Sequence, residues 1–243
     1  MSFCYTYWMN EPINDLIKKL SSVSGDYYEE GQLVHALTSA NPPDLFEGVR
    51  PALNERARVS YQGPWYHQGG EPTCSAWAVA NGALVLGAEP NIDFIKLLSA
   101  RARELAAQNK GLSNTEIAQM LNTNQNYSLI RVGDLTSDRE SETIFSPIKS
   151  ILRIRRVMAE RLLPILDDKK PLLVTINSSA FFFGKDIVPN HTLVIAGYRQ
   201  LGNRIDFQII DSNYGIYWAP DENLKVSILP NTIYEMSLPK GKK

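Results

Sequence analysis

The sequence predicts an α+β protein with its helices first and its strands second. Three observations carry this expectation. Helical periodicity and helix-start signals fill the chain up to about Leu121. After Lys169-Lys170-Pro171 the texture changes to β-branched and aromatic runs separated by turns. A hydrophobic content of 44% over 243 residues supplies core for one large domain or two small lobes, without metal or disulfide staples.

Taken in order, Ile13, Leu16, Ile17 and Leu20 form a short apolar stripe that ends near Ser24-Gly25. A second short helix is expected over Gln32 to Leu37. The loop signal Asn41-Pro42-Pro43-Asp44 follows, then a polar stretch with Pro51 that leads to Tyr61-Gln62-Gly63-Pro64. Residues 1–60 are therefore expected to be an N-terminal extension or prosegment-like helical cap, and 61–243 the main domain. No secretory route demands latency, which favours a permanent extension.

From Pro72 the run Thr73-Cys74-Ser75-Ala76-Trp77-Ala78-Val79-Ala80-Asn81-Gly82-Ala83-Leu84-Val85-Leu86-Gly87 is apolar nearly all round and stopped by Gly, as a buried central helix would be. Helices are expected over Asp93–Gln108 and Ser113–Leu121, the latter opening with the capping-box spacing Ser113-Asn114-Thr115-Glu116. A polar region, 122–143, precedes a longer helix over Pro147–Leu166, with Arg153, Arg156 and Arg161 on its solvated face. Strands are expected at Leu172–Ile176, Thr192–Tyr198 and Arg204–Ile210.

Lys plus Arg number 25 against 26 Asp plus Glu, a formal charge of −1 that gives no field favouring nucleic acid or anionic lipid. The two cysteines, Cys4 and Cys74, read as free thiols rather than a disulfide framework. No segment approaches the roughly 18 consecutive apolar residues of a membrane span, and Met1 to Asn10 shows no Sec-type leader. The expectation is cytoplasmic residence, or export without a Sec signal as an effector. With three His and two Cys, no metal-ligand spacing is visible, and neither a metal nor another cofactor is expected.

The chemistry-bearing residues lie in two stretches, His67-Gln68-Gly69-Gly70-Glu71-Pro72-Thr73-Cys74 and Asn190-His191-Thr192-Leu193-Val194. Cys74 in the first turn of a helix meets backbone N–H groups and the positive end of the helix dipole, which favour thiolate over thiol. Its bland alternative is a Cys that fills space beside small residues. Gln68, six residues earlier, is placed to donate its amide, with the Cys74 N–H, to an oxyanion. His191 opens an apolar strand and is the chosen base among His35, His67 and His191. Its ring needs an acceptor to fix its tautomer, and Asp211 ends the next strand; Asn213 is the rival.

In this order the residues resemble the papain-like cysteine peptidases, over about residues 61–230. That family pairs an N-terminal helical lobe carrying the Cys with a C-terminal antiparallel, barrel-like sheet carrying the His and its Asn or Asp partner. The resemblance rests on Gln68 six residues before Cys74, on His191 at a strand start, on Asp211 at the end of the following strand, and on Lys170-Pro171-Leu172-Leu173-Val174-Thr175-Ile176 before the His. The chain departs from the family's signature where Glu71, Pro72 and Thr73 precede the Cys and Ser75 follows it. Asp in place of Asn is similar to the intracellular and bacterial-effector branches.

The resemblance implies hydrolysis of a peptide bond by Cys74, His191, Asp211 and Gln68, acting on a protein or peptide substrate. Gly69, Gly70, Asn190 and Trp218 are expected to bind substrate, Tyr214 or Trp218 to shield the His–acid hydrogen bond, and Phe181-Phe182-Phe183 to line an apolar subsite. Two other uses of the same residues are acyl transfer at a glutamine side chain, as in deamidases and transglutaminases, and a catalytically silent binding module.

Overall fold

The computed structural model describes residues 29–34, 55–124, 127–132, 158–178, 190–229 and 231–239. In chain order the elements are β1 (Leu33–Val34), β2 (Glu55–Val59), β3 (Trp65–Tyr66), α1 (Cys74–Val85), α2 (Ile92–Ala106), α3 (Asn114–Asn124) and β4 (Ser128–Arg131). They continue with α4 over 158–167, then β5 (Leu172–Asn177), β6 (Asn190–Leu201), β7 (Arg204–Asp211), β8 (Gly215–Pro220), α5 (Asp221–Ser227) and β9 (Tyr234–Ser237). The protein is α+β, as its sequence texture predicts.

The main sheet is antiparallel, in the order β4-β9-β5-β6-β7-β8. Beside β6, β5 pairs with Asn190–Ile195, and β2 takes over along the same edge at Tyr198–Leu201. That hand-over sits at a bulge between Ile195 and Gly197. A Cβ on Gly197 would lie 2.1 Å from the Val59 carbonyl oxygen, so only glycine lets β2 approach β6 here. Among the described residues the sheet is open, ending at β4 and β8. The expected barrel-like closure is therefore corrected: Asp206 to Asp211 of β7 pair with β8, and among the described residues β8 has no further strand partner.

Strand alternation gives the sheet two buried faces. On one, Val174, Ile176, Leu193, Ile195, Phe207, Ile209 and Tyr217 pack against Met158, Leu162 and Leu166 of α4 and Leu224 of α5. On the other, Val194, Ala196, Ile210 and Ile216 meet Ala78 of α1 and Trp65 of β3. The opposite side of α1 (Ala76, Val79, Ala80, Ala83) packs against Phe94, Ile95 and Leu98 of α2 and Ile117 and Leu121 of α3. Apolar on every side, α1 is buried from Ser75 to Ala83, which explains its lack of a polar stripe.

The predicted helix start at Ser113 is present as a reciprocal capping box: the Glu116 carboxylate accepts from the Ser113 N–H at 3.0 Å and the Ser113 hydroxyl accepts from the Glu116 N–H at 3.2 Å. Two expectations are corrected. Leu33-Val34 is a strand rather than part of a helix, because pairing with Trp65-Tyr66 outweighs local helical preference. The polar region after Asn122 contains β4, which pairs with β9 and buries Leu129. Helix 158–167 matches the end of the predicted 147–166 helix. The stripe at Ile13–Leu20, the loop at Asn41–Asp44, Pro51, Arg153 and Arg156 lie outside the described residues.

The expected boundary at residue 60 crosses hydrogen-bonded structure. β1 pairs with β3 and β2 pairs with β6, so both described pieces of the 1–60 segment belong to sheets shared with later residues.

Candidate active site

Cys74 is the first residue of α1, and the site is assembled around it by the way this helix begins. The Thr73 carbonyl accepts from Ala76 and Trp77, at 3.0 and 3.2 Å. Helix geometry leaves the Cys74 N–H without an intrahelical acceptor. No side chain caps this end and no acidic residue occupies the first turn, so the positive end of the dipole is not neutralised locally.

β6 brings His191 to the sulfur. Val194 and Ala196 of this strand share a buried cluster with Ala78 of α1, which seats the helix on β6. The His191 side chain lies near enough to Cys74 for each group to act on the ionisation of the other. On its far side His191 Nε2 lies 2.9 Å from Asp211 Oδ1, at the end of β7, which leaves Nδ1 as the ring nitrogen facing the sulfur. His191 is buried and Asp211 is fully so, whereas Cys74 is partly exposed.

The charges of this trio reinforce one another. Burial pushes the Cys74 thiol up, but the hydrogen bond and charge of His191 prevail, with the Thr192 backbone and Ser75 hydroxyl adding to them, and hold it below its ordinary value. Burial disfavours a charged His191, yet the Asp211 carboxylate beside it and the Cys74 sulfur raise it well above the usual imidazole range. Burial also opposes ionisation of Asp211, and His191 with the Asn213 N–H and Tyr217 hydroxyl outweighs it, keeping the carboxyl below its normal value. All three shifts act in the direction of a thiolate–imidazolium–carboxylate row.

The acid that pairs with His191 is Asp211. Asn213 serves it through the backbone, donating its N–H to Asp211 Oδ1 at 2.8 Å. The other carboxylate oxygen accepts from the Tyr217 hydroxyl at 3.2 Å. Tyr217 escaped the sequence reading. Its position opposite Ile209, with Gly215 opposite Asp211, puts its side chain on the Asp211 face; recognising β8 as a strand would have found it.

Gln68 is buried and firmly oriented. Its Oε1 accepts from the Ser212 hydroxyl at 2.6 Å and its Nε2 donates to the Glu71 carbonyl at 2.8 Å. The same carbonyl accepts from the Thr73 N–H at 2.8 Å, tying the amide to the residue before Cys74. One Nε2 hydrogen remains for another acceptor. Gly69 has φ +67°, and a Cβ there would come within 3.1 Å of the Glu30 backbone nitrogen. Asn81 fixes the strand before this loop to α1: its Oδ1 accepts from the Tyr66 N–H at 2.6 Å and its Nδ2 donates to the Tyr66 carbonyl at 3.2 Å.

A hydroxyl chain begins at the residue after Cys74. Ser75 Oγ lies 3.0 Å from Thr192 Oγ1, which lies 3.3 Å from Thr175 Oγ1, while Ser75 donates to the Leu112 carbonyl. Of the remaining expected positions, Gly70 and Asn190 are exposed and Gly69 partly so. Trp218 is corrected: it is 0% exposed, on the sheet face opposite Asp211, with the Arg199 guanidinium 4.7 Å from its ring centroid. Neither open to a substrate nor beside His191, it is a core residue. Tyr214 packs on the core cluster of α4, and Phe181 to Phe183 lie outside the described residues.

Among the described residues no group of three or more His, Cys, Asp or Glu is arranged to hold a metal ion, and no helix is long and apolar enough to cross a membrane. Fold and site together define an α+β protein with an open antiparallel sheet, a helix-start thiol and a His–Asp pair. No protein-family model matches the chain, and no curated protein matches it.

Proposed function

We propose that the chain is a papain-like cysteine peptidase hydrolysing protein or peptide substrates, with Cys74 as nucleophile, His191 as acid and base, Asp211 as orienting carboxylate and Gln68 as oxyanion donor. The observation that carries this reading is the row Cys74–His191–Asp211, with 2.9 Å between His191 Nε2 and Asp211 Oδ1, lying at the start of an uncapped helix. The Cys74 thiolate attacks the scissile carbonyl carbon, and the oxyanion receives hydrogen bonds from Gln68 Nε2 and the Cys74 N–H. His191 gives its proton to the leaving amine as the C–N bond breaks, leaving a thioester on Cys74. It then takes a proton from water, whose oxygen attacks the thioester; the acid departs and the thiolate is restored.

Intact-mass spectrometry after incubation with a peptidyl epoxide, together with hydrolysis of fluorescently labelled casein, tests this reading. One adduct on Cys74 that is lost in His191→Ala, with casein cleavage lost in Cys74→Ala, is the expected result. Release of ammonia from glutamine peptides without chain cleavage would instead establish acyl transfer at a side chain.

A further inference from the structure

We propose that His67 is a positioning residue that must be neutral for the Gln68 loop to hold its shape, and that its protonation disengages the oxyanion donor in acid. The proposal rests on the peptidase reading for its consequence in catalysis, but not for its geometry.

His67 stands where three segments meet. Its backbone N–H donates to the Gln32 carbonyl at 3.0 Å, and its carbonyl accepts from the Gly31 N–H at 2.8 Å. The next residue, Gln68, donates its N–H to the Ser212 carbonyl at 2.9 Å. Its ring does something more specific. Nδ1 lies 2.8 Å from the Gly69 nitrogen and Nε2 lies 3.2 Å from the Asn213 carbonyl oxygen. A peptide N–H only donates, so Nδ1 must be unprotonated; a carbonyl only accepts, so Nε2 carries the proton. The partners thus dictate one neutral tautomer, bridging the Gln68–Gly70 loop to the turn after Asp211.

Adding a proton at Nδ1 sets N–H against N–H at 2.8 Å, a contact that the loop must break. Gly69 directly follows Gln68, so a displacement of its N–H is passed to the backbone that carries the oxyanion donor. Among the described residues, Asp211 is the carboxylate whose charge acts on the ring, and it and the carboxylates that flank the loop are engaged with other groups. Asp211 holds His191 and the Tyr217 hydroxyl; Glu30 binds Trp77 Nε1 and Arg103; Glu71 pairs with Arg103 at 3.4 Å. Burial depresses the His67 imidazole, with the Asn213 carbonyl and Asp211 acting against it, so the ring charges on the acid side of 6.5.

Asparagine at this position separates the two requirements, since its side-chain oxygen can accept from the N–H two residues on, as in an Asx turn, but does not titrate. Full-length protein labelled with nitrogen-15 is titrated by NMR. The expected result is a neutral His67 protonated at Nε2, with the Gly69 N–H and Gln68 side-chain amide shifting at the same midpoint; in His67→Asn neither shifts there. In parallel, casein hydrolysis is expected to fall at least tenfold in His67→Ala and largely recover in His67→Asn, whose acid limb moves to lower pH. Alkylation of Cys74 by iodoacetamide, which uses no oxyanion donor, keeps the same pH profile in all three. A protonated Nδ1 at neutral pH, or Gly69 and Gln68 resonances indifferent to His67 titration, overturns the proposal. Absence of casein cleavage alone would sink the peptidase reading and leave the NMR result to decide the role of His67.

Discussion

The Tyr217 hydroxyl and the His191 ring hold opposite oxygens of one buried carboxylate: Tyr217 donates to Asp211 Oδ2 at 3.2 Å and His191 Nε2 lies 2.9 Å from Oδ1. Burial, followed by the neighbouring Asp211 charge, raises the Tyr217 phenol well above its ordinary value, so it remains a donor across the working range. Tyr217→Phe is expected to cost about 1.5–3 kcal/mol of stability, the loss of a buried hydrogen bond to a charged group. It should also lower turnover, because the carboxylate is left with less support for the imidazolium. Thermal denaturation and casein hydrolysis check both; an unchanged melting temperature would show that the bond contributes nothing net.

Removing His191 should move the reactivity of Cys74 toward alkali. Burial acts upward on the thiol and His191 is the leading influence acting downward. In His191→Ala the burial effect then dominates, and the pH midpoint of alkylation by iodoacetamide is expected to rise toward or past 9.0, the ordinary thiol value. Stopped-flow alkylation across pH measures this directly. Equal midpoints in the two proteins would mean that no thiolate–imidazolium pair forms.

Asp211→Asn should narrow the alkaline side of the activity profile. The Asp211 charge is what raises His191 against the effect of burial, so its removal lowers the imidazole pKa and the imidazolium is lost at lower pH. Turnover at neutral pH is expected to fall by up to roughly 10⁴, the loss seen when the orienting carboxylate of a Ser-His-Asp triad is replaced by its amide. A kcat against pH profile whose alkaline limb does not move would contradict this.

Ser212→Ala and Gln68→Ala should separate oxyanion stabilisation from thiol activation. Loss of the Gln68 donor is expected to reduce kcat on the order of 10²–10³-fold, with Ser212→Ala smaller, since the amide keeps its bond to Glu71. Neither should change iodoacetamide alkylation of Cys74. A matching drop in alkylation would mean that these substitutions disturb the helix start instead.

Deleting residues 1–60 removes β1 and β2 from their partners β3 and β6. The melting temperature is expected to fall by roughly 5 °C or more, at about 2–4 °C per kcal/mol for a chain of this size. Val59, which packs on the core cluster, is lost with them. A deletion variant as stable and active as the full chain would make the segment a separable cap.

Cys74, Gln68, His191 and Asp211 could be picked out of the sequence as candidates because each has a local signature, a loop before an apolar helix, the head of a strand or the end of the next, and the fold brings His191 and Asp211 together. The buried character of α1 and the strands at 172–177 and 204–211 were legible for the same reason, since their patterns depend on near neighbours in the chain. Other relationships were not. Trp218 and Tyr217 are adjacent aromatics, and only the pairing of β7 with β8 decides which one meets Asp211, because strand alternation sends neighbours to opposite faces. The backbone N–H that Asn213 donates to Asp211 depended on the turn geometry after β7. The strand at Leu33–Val34, the open sheet and the His67 bridge likewise depend on groups distant in sequence, and no local propensity encodes such contacts. The sequence by itself singled out the residues that are proposed to carry chemistry. The tertiary structure decided which of them meet, because register and alternation set that only when the strands pair.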